Sequence, residues 1–309
     1  MREKYYSFNH YLKEKFGQRV HRISIDAGFD CPNIDGTLSK DGCSYCNNKG
    51  FSVNTGKLKS IEDQIEEAIA FYPKRFKVQK FIAYFQPNTN TYADVETLRE
   101  KYDIIKKYPQ IIGLFISTRP DCVDDEKIKL LSSYAKKYLV WVEYGLQTTD
   151  DRLLIEINRN HTYEDFLSAL NLTRRYGINV AAHLIFGLPG QNHEKIMEDA
   201  RRLSNLDIQG IKFHILHVLK KTKLEGRYNK GGFKLLSEAE YVRLICDFLE
   251  RLPSDLAVLR LVSTANPDYL IAPKWINNKH AVIDAINREF IRRGTCQGFC
   301  KTREQMQNT

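Results

Sequence analysis

Asp30-Cys31-Pro32-Asn33-Ile34-Asp35-Gly36-Thr37 and, a few residues on, Gly42-Cys43-Ser44-Tyr45-Cys46-Asn47 decide how this chain is read. Three cysteines on one turn-rich loop are one ligand short of the tetrahedral set that structural zinc takes. Three thiolates are enough to hold three irons of a cubane cluster and leave the fourth open to an outside ligand. An open iron is a place for chemistry. The competing reading is a zinc knuckle completed by His10, His21 or a later cysteine, but a zinc ribbon repeats its CxxC pair and no second pair occurs.

Outward from this loop, near-continuous Ile/Val/Leu/Phe runs alternate with amphipathic segments. The strand candidates are Arg22–Asp26, Lys80–Phe85, Ile111–Thr118, Leu139–Gly145, Asn179–Gly187, Gly210–Leu216 and Ala257–Val262. Such runs suit parallel strands covered on both faces. Ser60, Thr162 and Ser237 each precede an acid three residues later, a helix-start arrangement, and Asp124-Asp125-Glu126 puts acids in a first turn. Six or seven β–α units predict an α/β barrel or partial barrel, in which loops at the C-terminal strand ends carry function. The unusual polar residues fall at those ends: the cysteine loop, Gln86–Thr91, Ser117–Asp121, Glu143–Gln147 and Gly187–Gln191.

The 309 residues are 42% hydrophobic and 28% charged, which fits one large domain with a substantial core. The longest apolar runs are too short and too charged for a membrane span, and the N-terminus lacks a signal-peptide stretch. Seven cysteines in such a chain point to a reducing cytoplasm. The net charge of +9 favours a polyanionic partner without naming one. Cys296 and Cys300 form a CxxxC with no nearby third ligand, Cys122 follows the strand-three loop, and Cys246 reads as core. The polar end, Lys301–Thr309, is expected to fray.

The C-x-aromatic-C ending Cys43-Ser44-Tyr45-Cys46 resembles that of the radical S-adenosylmethionine (SAM) superfamily. The resemblance implies a [4Fe-4S] cluster on Cys31, Cys43 and Cys46, with SAM chelated at the open iron and cleaved by one electron to a 5′-deoxyadenosyl radical. It also implies a partial (β/α)6-type TIM barrel, with an N-terminal extension over 1–20, a core over 21–220 and a C-terminal extension over 221–309 completing the barrel side. Gly145-Leu146-Gln147, Ile157-Asn158-Arg159-Asn160-His161 and Gly187-Leu188-Pro189-Gly190-Gln191 are similar to a motif series in oxygen-independent coproporphyrinogen oxidases and the Elongator catalytic subunit. That places Gln147 near the SAM ribose and Arg159 near its carboxylate, since an amide bonds hydroxyls and a guanidinium forks a carboxylate. Tyr45 is expected beside the cofactors.

Two positions depart from the pattern. The strand-two loop lacks the family's glycines, so Gln86, Thr89 or Asn90 is expected to meet the SAM amino group. His183 stands where the oxidases carry aspartate, and reads either as a cofactor contact or as a buried structural histidine. Ser117 and Thr118 offer hydroxyls at the end of strand three. Glu143 lies in an apolar strand, where a lone carboxylate is costly, and is the candidate catalytic residue.

Cys-Pro-Asn-x-Asp-Gly-Thr, Phe85-Gln86 with Thr89-Asn90-Thr91-Tyr92, and Ala272-Pro273-Lys274-Trp275 resemble the YtqA/YhcC-type family. Some of its members resemble MnmL, which modifies the wobble uridine of tRNA. The resemblance implies conversion of a carboxymethylaminomethyl side chain toward aminomethyl, an electron donor such as flavodoxin or ferredoxin, and a downstream methyltransferase. A small metabolite or tetrapyrrole substrate, and a noncatalytic metal-bound RNA-binding protein, are the alternatives.

Overall fold

The computed structural model describes residues 4–47 and 59–301. The apolar runs form one curled sheet of seven parallel strands in the order β1-β2-β3-β4-β5-β6-β8. These are β1 (Val20–Ile25), β2 (Lys80–Phe85), β3 (Ile111–Thr118), β4 (Leu139–Gln147), β5 (Asn179–Phe186), β6 (Gly210–Ile215) and β8 (Ala257–Arg260). Two short strands, β7 (Val218–Leu219) and β9 (Leu270–Ala272), pair antiparallel apart from it. The fold is the α/β partial barrel that the sequence predicts. Strand β4 runs past Gly145 to Gln147 because its register with β5 shifts between Tyr144 and Gln147. Strand β8 stops at Arg260, short of Val262, where its pairing with β6 is already irregular.

Helices pack on the outer face. Ser60, Thr162 and Ser237 cap them as read, and Asp124, expected in a first turn, is itself a cap with Asp125 and Glu126 following it; each accepts from a backbone N–H in the first turn. Thr162 with Asp165 and Ser237 with Glu240 form reciprocal boxes. Each cap contributes about 1 kcal/mol.

The N-terminal helix Phe8–Phe16 closes the inner face at the N-terminal strand ends. Ser7 caps its start, and Gly17 ends it in the left-handed conformation. Its Phe8 ring lies 5.6 Å from Phe115 and 5.5 Å from Trp141, both fully buried. Val258 N–H donates to Tyr6 at 2.8 Å, tying this segment to β8. The CxxxC run works in the same clamp. Gln297 donates to Pro253 and Leu256 through Nε2 and accepts from Tyr6 N–H. Cys246 is core, as expected from its helix. Residues 302–309 of the tail expected to fray lie outside the described residues. Among the described residues, no helix is long and apolar enough to cross a membrane.

Candidate active site

A cavity opens at the C-terminal strand ends, lined by Cys31, Cys43, Tyr45 and Cys46 together with the ends of β2 to β6 and β8. The eleven-residue spacer between Cys31 and Cys43 folds down onto a turn at 157–160. Asn33 is fully buried and donates through Nδ2 to the Asn158 carbonyl at 2.7 Å and to Cys43 Sγ at 3.4 Å, while its Oδ1 accepts from Asn160. Asn158 returns the contact through Nδ2 to Gly42 O at 2.6 Å. Asn158 and Asn160 sit at φ 54° and 55°, a left-handed conformation that asparagine tolerates better than most residues. The turn therefore suits asparagine on both sides of Arg159, where its side chains also make the contacts to the loop.

Arg159 is buried between the loop and β4. Its Nη1 donates to Cys43 Sγ at 3.5 Å, Nη2 to Gly145 O at 2.9 Å, and Nε to His161 Nε2 at 3.0 Å. His161 accepts that bond and is held neutral, its pKa pushed down to about 3 by burial and then by Arg159 and Arg119. Burial alone would raise the Cys43 thiol. Arg159, Arg119 and Asn33 overcome it, so the net shift is downward, toward the thiolate that binds metal. Cys46 moves the other way, up to about 12, through burial and repulsion from Cys43 and Cys31. A Cβ at Gly145 would stand 2.7 Å from Arg159 Nη2 and 2.8 Å from Gln147 Nε2, so only glycine lets both side chains cross β4 here.

Below this level the barrel floor is polar. Glu143 is fully buried; its Oε2 accepts from Lys212 Nζ at 2.6 Å and from Tyr84 OH at 2.7 Å. Lys212 also donates to the Tyr84 hydroxyl, and Arg22 Nη1 stands 3.8 Å from Glu143 Oε1. Burial pushes the Lys212 amine down to about 7; Glu143 opposes this, while Arg260 and Arg22 add to it. His183 and His214 face each other with ring centroids 3.9 Å apart, both held neutral by burial and by nearby cations.

The structure brings Tyr45, Gln86, Thr89, Ser117, Thr118, Gln147, Arg159 and His183 to the lining beside the three cysteines. Glu143 and Asn90 are not in that lining. Glu143 lies beneath it, tied to Lys212 and Tyr84. Asn90 spends its amide on the Pro87 and Ser117 carbonyls, both at 2.9 Å. The Thr118 hydroxyl pairs with Thr91 at 2.6 Å. Sequence reasoning missed Asn33, Tyr84, Arg119, Lys212, His214 and Arg260. Lys212 and Arg260 carried a legible signal, since each is a cation inside an otherwise apolar strand, the same pattern that singled out Glu143. His10 and His21 are not in the lining; His21 stacks on Phe76 and Tyr72 at the N-terminal end of β1. Cys122 is buried and also outside the lining.

Fold and site together define a partial barrel with three cysteines around a cavity at the strand ends. The model of the radical SAM superfamily matches residues 40–203, and that of the Radical_SAM C-terminal domain matches 208–292. YtqA of Bacillus subtilis is 39% identical over 297 residues, covering 96% of this chain and 92% of its own. YhcC of Escherichia coli is 33% identical over 269 residues, 87% of this chain and 86% of that one. The chain belongs to the radical SAM superfamily, in the branch that holds YtqA and YhcC. A solved structure of archaeal Elp3 from Methanocaldococcus infernus shares the fold with a TM-score of 0.62 at 16% identity; the match covers 90% of this chain and 64% of that one.

Superfamily members use a [4Fe-4S] cluster and SAM; among the described residues no three His, Cys, Asp or Glu side chains converge on a single metal ion, and the donors that fit a cluster with SAM are those spread around the cavity. Three cysteines line one cavity, and Cys43 has a guanidinium and an amide donor on its sulfur. Gln147 Oε1, Arg119 Nη1 and His183 Nε2 are buried there without a protein partner, as groups awaiting a polar ligand would be.

Proposed function

We propose that this enzyme holds its cluster on Cys31, Cys43 and Cys46, cleaves SAM reductively, and converts the carboxymethylaminomethyl arm of a wobble uridine in tRNA to aminomethyl. When bound, the cluster and SAM supply the one-electron chemistry that removes hydrogen from an unactivated carbon. The protein binds, orients and keeps water out. Arg159 and Gln147 are the proposed contacts of the SAM carboxylate and ribose, with Gln86, Thr89, Ser117, Thr118 and His183 around them. An apolar group including Tyr45, Leu153, Leu154, Ile157, Ile185, Leu188, Leu216 and Leu224 wraps the cysteine loop and would exclude water from it. Glu143 acts as a positioning residue, holding Lys212 and Tyr84 under the substrate. The net change would be a two-electron oxidation of the methylene beside the amine: one electron leaves with the hydrogen atom that ends in 5′-deoxyadenosine, the second returns to the one-electron donor, and water hydrolyses the resulting C=N bond. A two-carbon aldehyde acid leaves and the amine remains.

The observation that supports a tRNA uridine as substrate is similarity to a Dehalococcoides mccartyi tRNA uridine(34) acetyltransferase, 28% identical over 158 residues, 49% of this chain and 33% of that one; the carboxymethylaminomethyl arm follows from the family resemblance alone. The +9 charge supports a polyanionic partner. A flavodoxin or ferredoxin would deliver the electron, and a methyltransferase would act on the product. Residues 21–220 form the proposed catalytic core, and 221–309 complete its side, since Arg260 reaches the same cavity.

The test mixes anaerobically reconstituted protein, SAM, a reductant and tRNA bearing carboxymethylaminomethyluridine. Aminomethyluridine should appear, with 5′-deoxyadenosine formation stimulated by that tRNA. If neither occurs, a small-molecule substrate replaces this reading.

A further inference from the structure

The floor of the cavity carries more positive charge than the protein itself neutralises. One carboxylate, Glu143, faces Lys212, Arg22 and Arg260. Lys212 and Tyr84 take up Oε2, while Oε1 is buried without a hydrogen-bond partner, with Arg22 Nη1 3.8 Å away. Arg260 lines the cavity, yet its Nε and Nη2 are buried with no hydrogen-bond partner. Those two atoms form one edge of the guanidinium, the edge that forks a carboxylate. Arg119 uses the same pair on Asp121, at 2.9 and 2.7 Å. On the same floor, the Nε2 atoms of His183 and His214 are also buried without partners. Each neutral imidazole presents an N–H from Nε2 in one of its two tautomers. Arg260 as a residue is half-buried, but a guanidinium edge shut away from water without a hydrogen-bond partner is costly. Burial lowers Arg260 to about 10, which still leaves it charged at neutral pH.

We propose that Arg260, with His214 beside it, is a subsite for a carboxylate on the substrate. The planar two-atom edge matches a carboxylate in a bidentate pair. Arg260 lines the same cavity as the three cysteines. The proposal deepens the reading above and rests on it in one respect, that the carboxylate is the end of the carboxymethylamino arm.

The test is equilibrium dialysis of the reconstituted protein, with SAM present, against radiolabelled N-methylglycine, the smallest probe carrying that end group. Parallel arms use N-methylglycinamide and methyl phosphate. Saturable one-to-one uptake of N-methylglycine is expected, at least about tenfold tighter than either comparison probe, because only the carboxylate offers the bidentate charge-assisted pair. Arg260→Gln should abolish the preference, and Arg260→Lys should keep part of it. SAM affinity of Arg260→Gln should match wild type, and its thermal midpoint should be no lower, since an unpaired cation has been removed. Absence of saturable uptake, equal uptake of the amide or methyl phosphate, unchanged uptake by Arg260→Gln, or a lowered midpoint would each overturn the subsite. Arg260-dependent uptake in a protein that never converts tRNA upholds the subsite and sinks the wobble-uridine reading. Conversion of tRNA without Arg260-dependent uptake does the reverse.

Discussion

Glu143→Gln should destabilise this protein by an amount that grows as the pH falls. In the wild type Lys212 Nζ stands 2.6 Å from the Glu143 carboxylate, and both side chains are buried. Burial holds the amine near 7, and Glu143 is the group that props it up. Glutamine keeps the shape and removes that support, so the amine drops below 7. At pH 8 Lys212 is mostly neutral in both proteins, and the substitution exchanges a charged acceptor for a neutral one, a loss of about 1–2 kcal/mol. The unfolded chain holds this proton up to about pH 10.4. Lys212's folded pKa is depressed, so its contribution to stability falls as pH drops from 10.4 to 7 and then levels off in the wild type. In the variant it keeps falling, by about 1.4 kcal/mol per pH unit. By pH 5.5 the difference should reach about 3–4 kcal/mol, in the range for a broken buried pair. Urea unfolding of both proteins between pH 8 and 5.5, followed by tryptophan fluorescence, measures it. A difference that stays flat or narrows toward acid refutes the pairing argument.

Gly145→Ala should push Arg159 and Gln147 off β4, where a Cβ would stand 2.7 and 2.8 Å from their nitrogens; SAM affinity by equilibrium dialysis should fall at least about tenfold if the carboxylate pair is lost. Gly210→Ala would place a Cβ 2.4 Å from Leu259 and 2.6 Å from Trp141, so denaturant midpoints should report a loss of about 1–3 kcal/mol from overpacking with SAM affinity little changed. Asp199 accepts from Thr148 and Thr149, and burial raises its pKa to about 6 despite those bonds. Its contribution is therefore full below about pH 3.9 and is lost as pH rises through 6. Asp199→Asn should remove that downward slope of stability between pH 4 and 6.

The strands were legible because parallel strands buried on both faces write continuous apolar runs, and Lys80–Phe85 and Ile111–Thr118 came out to the residue. Helix starts were legible at Ser60, Thr162 and Ser237 because capping is a local event. The cysteine loop and its neighbours at the strand ends could be assigned to one face from chain order alone. The inner polar layer could not. Which side chain on a strand points inward depends on register, and the shift at Tyr144/Gln147 carries no sequence mark. That Asn33 bridges to Asn158 and Asn160 across more than a hundred residues is a tertiary fact with no mark in the sequence. Arg260 belongs to a strand far from the cysteines in sequence, and only closure of the sheet through β6 and β8 brings it to the cavity.

The most direct measurement is 5′-deoxyadenosine formation under anaerobic conditions, with a reductant, by the reconstituted wild type and by the Cys31→Ser, Cys43→Ser and Cys46→Ser variants. The wild type should bind about four irons, as expected for a thiolate-held cubane, and release 5′-deoxyadenosine from SAM. Each variant should lose that reaction while keeping its fold by circular dichroism. A protein lacking all three thiols that still produced 5′-deoxyadenosine would contradict the account.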